Sequence, residues 1–196
     1  AVDLDEVLAD FMNAFLDFYN LHYKQHLRYE DCNHYYLKDL VGFTQEEELA
    51  FVYEFFKTDY FKNILPVQGS QEAMGKLSND HELIVLTSRQ DDIKEETEAW
   101  INRFFPGIFS AVYLTNGFPK YGKPRKKSQV VHELKVDVLI EDQAHYANEC
   151  ASERTTCIIL TKPWNAHKDL NEHVIRVHSW KEARDRIRGL RSRWDS

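Results

Sequence analysis

No apolar run in the chain approaches the roughly 20 residues that span a bilayer, so no membrane partner is expected. No secretory leader is expected ahead of Asp3, and the missing initiator methionine is expected of a chain without a few native residues or a tag. Cysteine is scarce. Cys32, Cys150 and Cys157 form an odd set without metal-like pairing or a visible triad partner. That argues against a disulfide framework and against thiol catalysis, and it fits a reduced, intracellular, cytoplasmic chain. Positive charge is also short: Lys plus Arg minus Asp plus Glu is 25 − 32 = −7. No nucleic-acid partner is therefore expected, and Arg184, Arg186, Arg188, Arg191 and Arg193 near the end read as a solvated helix face. Internal repeats, low-complexity stretches and linkers are absent. At 196 residues the chain can build one sizeable core with a small inserted subdomain.

The opening stretch, Ala1-Val2-Asp3-Leu4-Asp5, places two carboxylates one residue apart after a short apolar start. In a continuous strand Asp3 and Asp5 would share a face; if the strand stops at Asp3, they stand on a loop rim above the sheet. Helical spacing of Leu8, Phe11, Phe15, Leu16, Phe18 and Tyr19 predicts a helix from Leu8 to about Tyr23. Thr44 and Glu47 form a capping-box pattern that starts a second helix through Phe56. No strand pattern occurs between Leu8 and about Leu65, which marks a helical insertion. Beyond Pro66, helices alternate with strands predicted at 81–88, 111–115, 136–140, 155–160 and 174–177, with the last helix at 179–191. That alternation predicts an α/β fold, a Rossmann-like, mostly parallel sheet covered on both faces.

Three strands end in Asp3-Leu4-Asp5, Thr87-Ser88 and Glu141-Asp142. A parallel sheet brings such ends to one edge, where open α/β sheets bind ligands. Asp3 can ligate a cation or attack an electrophile, Asp5 can give and take a proton, and Thr87 offers a hydroxyl. A fixed positive charge comes from Lys123, Lys126 or Lys127, of which Lys127 is preferred because it stands just inside the helix leading to the next strand. An acid cluster with few nitrogen ligands suits a hard cation, most plausibly Mg²⁺. A cation, a lysine and a hydroxyl together make a phosphate site. His22 and His26, four apart, could share a metal but read better as a solvated helix face.

Asp3-Leu4-Asp5, Thr87, Lys127 and Glu141-Asp142 match in order the four motifs of the haloacid-dehalogenase-like phosphatases, which the chain resembles over most of its length. Val7-Leu8-Ala9-Asp10-Phe11, the helical insertion and Pro163-Trp164-Asn165 look like the 5′(3′)-deoxyribonucleotidase-like branch. The resemblance implies a core of residues 1–8 and 66–196 with a helical cap at 9–65. It implies Asp3 as nucleophile and Mg²⁺ ligand, and Asp5 as general acid, then base, with its backbone carbonyl on the metal. Thr87, with Ser88 beside it, would bind the phosphoryl group, and Lys127 would neutralise phosphate and nucleophile. Asp142 would be the further metal ligand with Glu141 in the outer shell, and Phe11 would face the nucleoside. The expected partner is a small phosphorylated substrate, a nucleoside monophosphate in preference to a sugar phosphate; a homodimer is one option for the assembly. The rival from another class is a non-catalytic metal- or partner-binding protein on the same fold. Two positions depart from the family pattern. Glu6 replaces the usual glycine and is expected to add charge near the phosphate entrance, and Glu141 replaces the aspartate often first in the acidic pair. Tyr35, Tyr36, Phe43, Tyr60 and Phe61 could line a base-stacking wall or fill the core of the insertion.

Overall fold

The computed structural model describes residues 1–117 and 119–190. Five named strands all run parallel: β1 (Ile84–Thr87), β2 (Ala111–Leu114), β3 (Val138–Glu141), β4 (Thr156–Leu160) and β5 (Val174–Val177). Ile84 lies opposite Ala111, Val138 opposite Thr156, and Cys157 opposite Val174. The first residues of the chain join the two ladders. Val2 bridges to Val85 on one side and to Ile140 on the other. Its N–H donates to Ile84 O at 2.9 Å, and the Asp3 N–H donates to Ile140 O at 2.9 Å. The spatial order is therefore β2, β1, the N-terminal segment, β3, β4, β5, with the shortest strand-like piece in the middle. It stops at Asp3 because the next residues turn: Leu4 O accepts from both Leu8 and Ala9 N–H at 2.8 Å, and Glu6 adopts a left-handed φ of 64°.

A long helical excursion leaves this turn at Ala9 and returns at Pro66, where the two passes form an antiparallel bridge. Val67 N–H donates to Leu8 O at 2.8 Å and Asp10 N–H to Leu65 O at 2.9 Å. The turn and this pairing commit Leu8 and Ala9, so α1 starts at Phe11 (Phe11–Tyr23) rather than at Leu8. It ends at a left-handed Lys24, which takes His26 off the helix and breaks its spacing with His22. After α2 (Leu37–Val41), α3 (Gln45–Phe55) begins with the capping box: Glu47 N–H donates to Thr44 Oγ1 and Thr44 N–H to Glu47 Oε2. Such a cap contributes about 1 kcal/mol. α4 (Asp59–Lys62) completes the excursion. Its aromatic residues mostly fill its own interior. Phe15 meets Phe55 at 5.1 Å between ring centres and Phe18 stacks on Phe51 at 4.9 Å. Phe43 and Phe61 join this packing, while Tyr60 is exposed.

Helices α5 (Ser70–Leu77) to α9 (Trp180–Leu190) cover the sheet, with α6 (Lys94–Phe104), α7 (Lys127–Glu133) and α8 (Ala144–Cys150) between them. Period-two alternation decides which residue faces which layer. Val85, Ile140, Ile158 and Leu160 pack in one layer with Met74, Leu77, Ala183 and Ile187 from α5 and α9. Their neighbours Leu86, Leu139, Cys157 and Ile159 pack in the other with Val130, Val131, Ala147 and Cys150 from α7 and α8. α8 gives no clear sequence signal: it has seven residues, and its buried face is Ala144, Ala147 and Cys150. The final helix was expected to reach Arg191; Arg191 and Arg193 lie outside the described residues, and those from Trp180 to Leu190 are helical. Among the described residues, no helix is long and apolar enough to cross a membrane.

Candidate active site

The C-terminal ends of the N-terminal segment and β3 meet over a single buried lysine. Lys127, the first residue of α7, is 1% exposed, and its Nζ donates to Asp3 Oδ1 at 2.7 Å and Glu141 Oε1 at 2.5 Å. Lys123 is exposed and Lys126 pairs with Glu149, so of the three neighbouring lysines Lys127 is the one that reaches the acids. Burial works against its charge, but the two carboxylates dominate and hold the ammonium well above its ordinary pKa. Asp3 moves the other way. Burial and then Glu141 push its carboxyl up to about 7, with Lys127 opposing. Asp142 is raised as well, by burial first and then by Glu141 and Asp3.

Carboxylate oxygens of Asp3, Glu141 and Asp142 lie within 4.8 Å of one another. Their hydrogen bonds differ in a way that sorts their roles. Glu141 Oε2 accepts from the backbone N–H of Asp142 (2.6 Å) and Gln143 (2.8 Å), so both of its oxygens are taken. Asp142 Oδ2 accepts from Trp164 Nε1 and Gln143 Nε2. Asp142 Oδ1 is buried and has no hydrogen-bond partner among the described residues. A bare buried carboxylate oxygen beside a raised aspartate fits an oxygen-preferring divalent cation.

Asp5 stands above this cluster in a contact that sequence reasoning missed. Arg89 grips it with both arms, Nε to Oδ2 at 3.0 Å and a terminal nitrogen to Oδ1 at 2.7 Å. The third guanidinium nitrogen donates to Thr97 Oγ1 at 3.2 Å, and the plane lies 5.0 Å over the Phe61 ring. Arg89 is two residues past Thr87 and is buried, although an arginine following Ser88 reads as a surface residue. Thr87 is itself buried at the end of β1, where its Oγ1 accepts the Arg89 backbone N–H at 3.2 Å.

Glu6 is not where the sequence placed it. It was expected as a charge near the phosphate entrance; instead it is 1% exposed and turned beneath the insertion. Its Oε1 accepts the Met12 N–H at 2.6 Å, and its Oε2 accepts the Tyr29 hydroxyl at 2.8 Å and faces Lys162 Nζ at 3.3 Å. A non-glycine left-handed residue costs roughly 1–3 kcal/mol, which these three partners offset. The glycine position has become a buried tie between the turn, the insertion and the loop after β4.

Over the acids lies a cavity of about 400 Å³. Asp3, Asp5, Thr87, Ser88 and Lys127 line its floor; Phe11, Phe15, Tyr35, Tyr36, Val52 and Phe56 line its walls. Phe11 is half-buried and also packs on Phe15 and Phe55. Of the aromatic residues considered for a stacking wall, Tyr35 and Tyr36 border the cavity. Phe15, Phe56, Gln143 and Tyr146 border it too and were not foreseen. Tyr146 comes from α8, and its ring lies 4.7 Å from Lys127 Nζ.

Residues 1–194 match the model of the family described as 5′ nucleotidase, deoxy (pyrimidine), cytosolic type C protein. A 5′(3′)-deoxyribonucleotidase of Bacillus subtilis (strain 168) is 24% identical over 185 residues, which covers 93% of this chain and 94% of that protein. Among solved structures, a haloacid dehalogenase-like hydrolase from Streptococcus pneumoniae superposes with a TM-score of 0.67 at 12% identity, covering 95% of this chain and 96% of that one. A HAD-type hydrolase of Bacillus subtilis, solved bound to magnesium, gives a TM-score of 0.60 at 12% identity over 95% of this chain and 96% of its own. At such identities the structural likeness shows the fold.

Proposed function

The chain belongs to the 5′ nucleotidase, deoxy (pyrimidine), cytosolic type C family and is a phosphoric monoester hydrolase; from that premise we propose that it is a Mg²⁺-dependent nucleotidase that hydrolyses (deoxy)nucleoside monophosphates through a phosphorylated Asp3. The observation that carries this reading is the buried Asp3–Lys127–Glu141–Asp142 cluster, whose Asp3 and Lys127 line the floor of an aromatic-walled cavity. In the proposed arrangement residues 9–65 act as a cap that encloses the nucleoside, with Phe11 and Tyr35 against it. Asp3, Asp142 and the Asp5 carbonyl would hold Mg²⁺, with Glu141 behind them. When bound, the ion supplies positive charge that offsets repulsion between the substrate phosphate and the carboxylate nucleophile.

The protein's own groups then divide the work. Lys127 and the Thr87 and Ser88 hydroxyls hold the phosphoryl oxygens. An Asp3 oxygen forms a bond to phosphorus as the bond to the nucleoside oxygen breaks, and Asp5 delivers a proton to that departing oxygen. Water then attacks phosphorus and gives its proton to Asp5, phosphate leaves, and the Asp3 carboxylate is restored. The test is a panel of nucleoside and sugar monophosphates assayed with Mg²⁺, with Asp3→Asn as control. Turnover of nucleoside monophosphates that is lost in Asp3→Asn supports the proposal. Turnover confined to sugar phosphates overturns the substrate class, and substantial activity in Asp3→Asn overturns the mechanism.

A further inference from the structure

The two oxygens of Asp142 are treated unequally: Trp164, outside the cavity, and Gln143, on its border, both hold the same one. Trp164, buried in the loop after β4, aims its Nε1–H at Asp142 Oδ2 from 2.9 Å. Gln143 Nε2 donates to the same oxygen at 3.1 Å. Nothing among the described residues donates to Oδ1. A carboxylate with one oxygen doubly occupied and the other bare cannot rotate freely: turning it would break two hydrogen bonds and leave an indole N–H unsatisfied in the interior.

The tryptophan is itself fixed. The next residue, Asn165, donates Nδ2 to Asp142 O at 2.6 Å and to Leu160 O at 2.8 Å, and its Oδ1 accepts Lys162 N–H and an Arg176 nitrogen. The rings of Tyr29 and Tyr35 stand edge-on to the Trp164 ring at 5.6 and 5.8 Å. Tyr29 is the residue that also donates to Glu6. The indole is thus held between the insertion and the acidic pair.

We propose that Trp164 is a positioning residue for the cation: with Gln143 it occupies one oxygen of Asp142 and thereby presents the other to the metal. This rests on Asp142 being a metal ligand, as in the function proposed above. Metal-bound carboxylates depend on such outer partners, whose loss costs roughly 10- to 100-fold in metal affinity.

Substrate-free protein provides the test, with Mn²⁺ as a spectroscopic stand-in for Mg²⁺ and free ion counted by electron paramagnetic resonance. Trp164→Phe keeps an aromatic ring against Tyr29 and Tyr35 and removes the donor with part of the indole; Gln143→Leu removes the second donor to the same oxygen without touching that packing; Asp142→Asn is the reference. Asp142→Asn should abolish specific binding. Trp164→Phe should weaken it by about 10-fold or more, and Gln143→Leu should weaken it in the same direction. With Mg²⁺ raised to saturation, kcat of Trp164→Phe should return to within a few-fold of wild type, which a merely structural defect would not do. Should Trp164→Phe fail to fold, Gln143→Leu decides. Mn²⁺ affinity unchanged in Trp164→Phe while lost in Asp142→Asn overturns the positioning role alone. Affinity unchanged in Asp142→Asn overturns the ligand assignment beneath it.

Discussion

Replacing Lys127 by methionine removes one positive charge from a position that is 1% exposed. Methionine fills much of the lysine's volume, so the perturbation is electrostatic and not a cavity. In the native protein one ammonium faces two carboxylates at 2.7 and 2.5 Å, with Lys127 and Glu141 at most 1% exposed and Asp3 6%. Breaking a buried pair by removing one partner costs about 3–5 kcal/mol. Here two acids lose the same partner and then face each other, so the upper end applies. With a urea m-value of about 2 kcal/mol/M, the unfolding midpoint should fall by roughly 2.5 M. Urea titration in EDTA at about pH 8, followed by the fluorescence of buried Trp100, Trp164 and Trp180, reads this shift. At about pH 5.5 the loss should shrink to less than half, because Asp3, whose carboxyl is already pushed up to about 7 with the lysine present, can then neutralise itself by taking a proton. A midpoint equal to wild type at the higher pH, or a loss of the same size at both, would refute the account of Lys127 as the cluster's counter-charge.

Further consequences concern the neighbouring groups. For the metal-free wild type, the Asp3 carboxyl at about 7 lies above its ordinary 3.8, so the folded state binds more protons than the unfolded one between those values. Its stability should therefore fall as pH rises through that window, by an amount on the order of 4 kcal/mol, and Mg²⁺ should restore more at about pH 8 than at about pH 5.5; a flat profile in calorimetry counts against it. Arg89→Met frees the Asp5 carboxylate from its two-armed contact. Turnover of nucleoside monophosphates should drop on the order of 10²-fold, with a much smaller loss on p-nitrophenyl phosphate, whose leaving oxygen needs little protonation. Equal losses on both substrates would rule out a role for Arg89 in proton delivery to the leaving oxygen. Tyr29→Phe deletes the hydroxyl that donates to buried Glu6, a charged hydrogen bond worth about 1.5–3 kcal/mol, which should lower Tm by roughly 4–8 °C. An unchanged melting curve would dismiss the Glu6 tie.

The layout of the sheet and the edge that carries the candidate site were legible because they rest on periodicity. Apolar strands ending in Asp3, Thr87 and Glu141-Asp142 can only deliver those groups to one side of a parallel sheet, and the structure brings them there. What escaped had no periodic signature. α8 is short and buries alanines and a cysteine, so it carries no stripe of large apolar residues to mark a helix, and Tyr146 was missed with it. Arg89 is identified by a partner 84 positions away, a separation at which sequence carries no pattern. Glu6 was misplaced because a charged residue beside Asp3 and Asp5 invites an electrostatic reading. Its φ of 64° instead turns the side chain inward, to partners from Met12, Tyr29 and Lys162. The division of labour between Glu141 and Asp142 depends on which oxygens are already occupied, and that belongs to tertiary structure alone.

The central place of the first three residues also sets the order in which the protein can be made. Val2 hydrogen-bonds to a strand centred more than 80 positions downstream, its neighbours Ala1 and Asp3 bond to one nearly 140 positions downstream, and the lysine that neutralises Asp3 comes 124 residues after it. During synthesis the segment bearing Asp3 emerges first, yet it has no complete slot until β1 and β3 have both left the ribosome. Closing a sheet around its earliest strand demands contacts of high sequence separation, which fold slowly. The helical excursion, whose aromatic packing is local, can meanwhile condense next to the waiting strand. Asp142 and the indole that orients it arrive later still, at 142 and 164. A nascent or truncated chain therefore holds the carboxylate of Asp3 long before it holds the counter-charge and the acids around it.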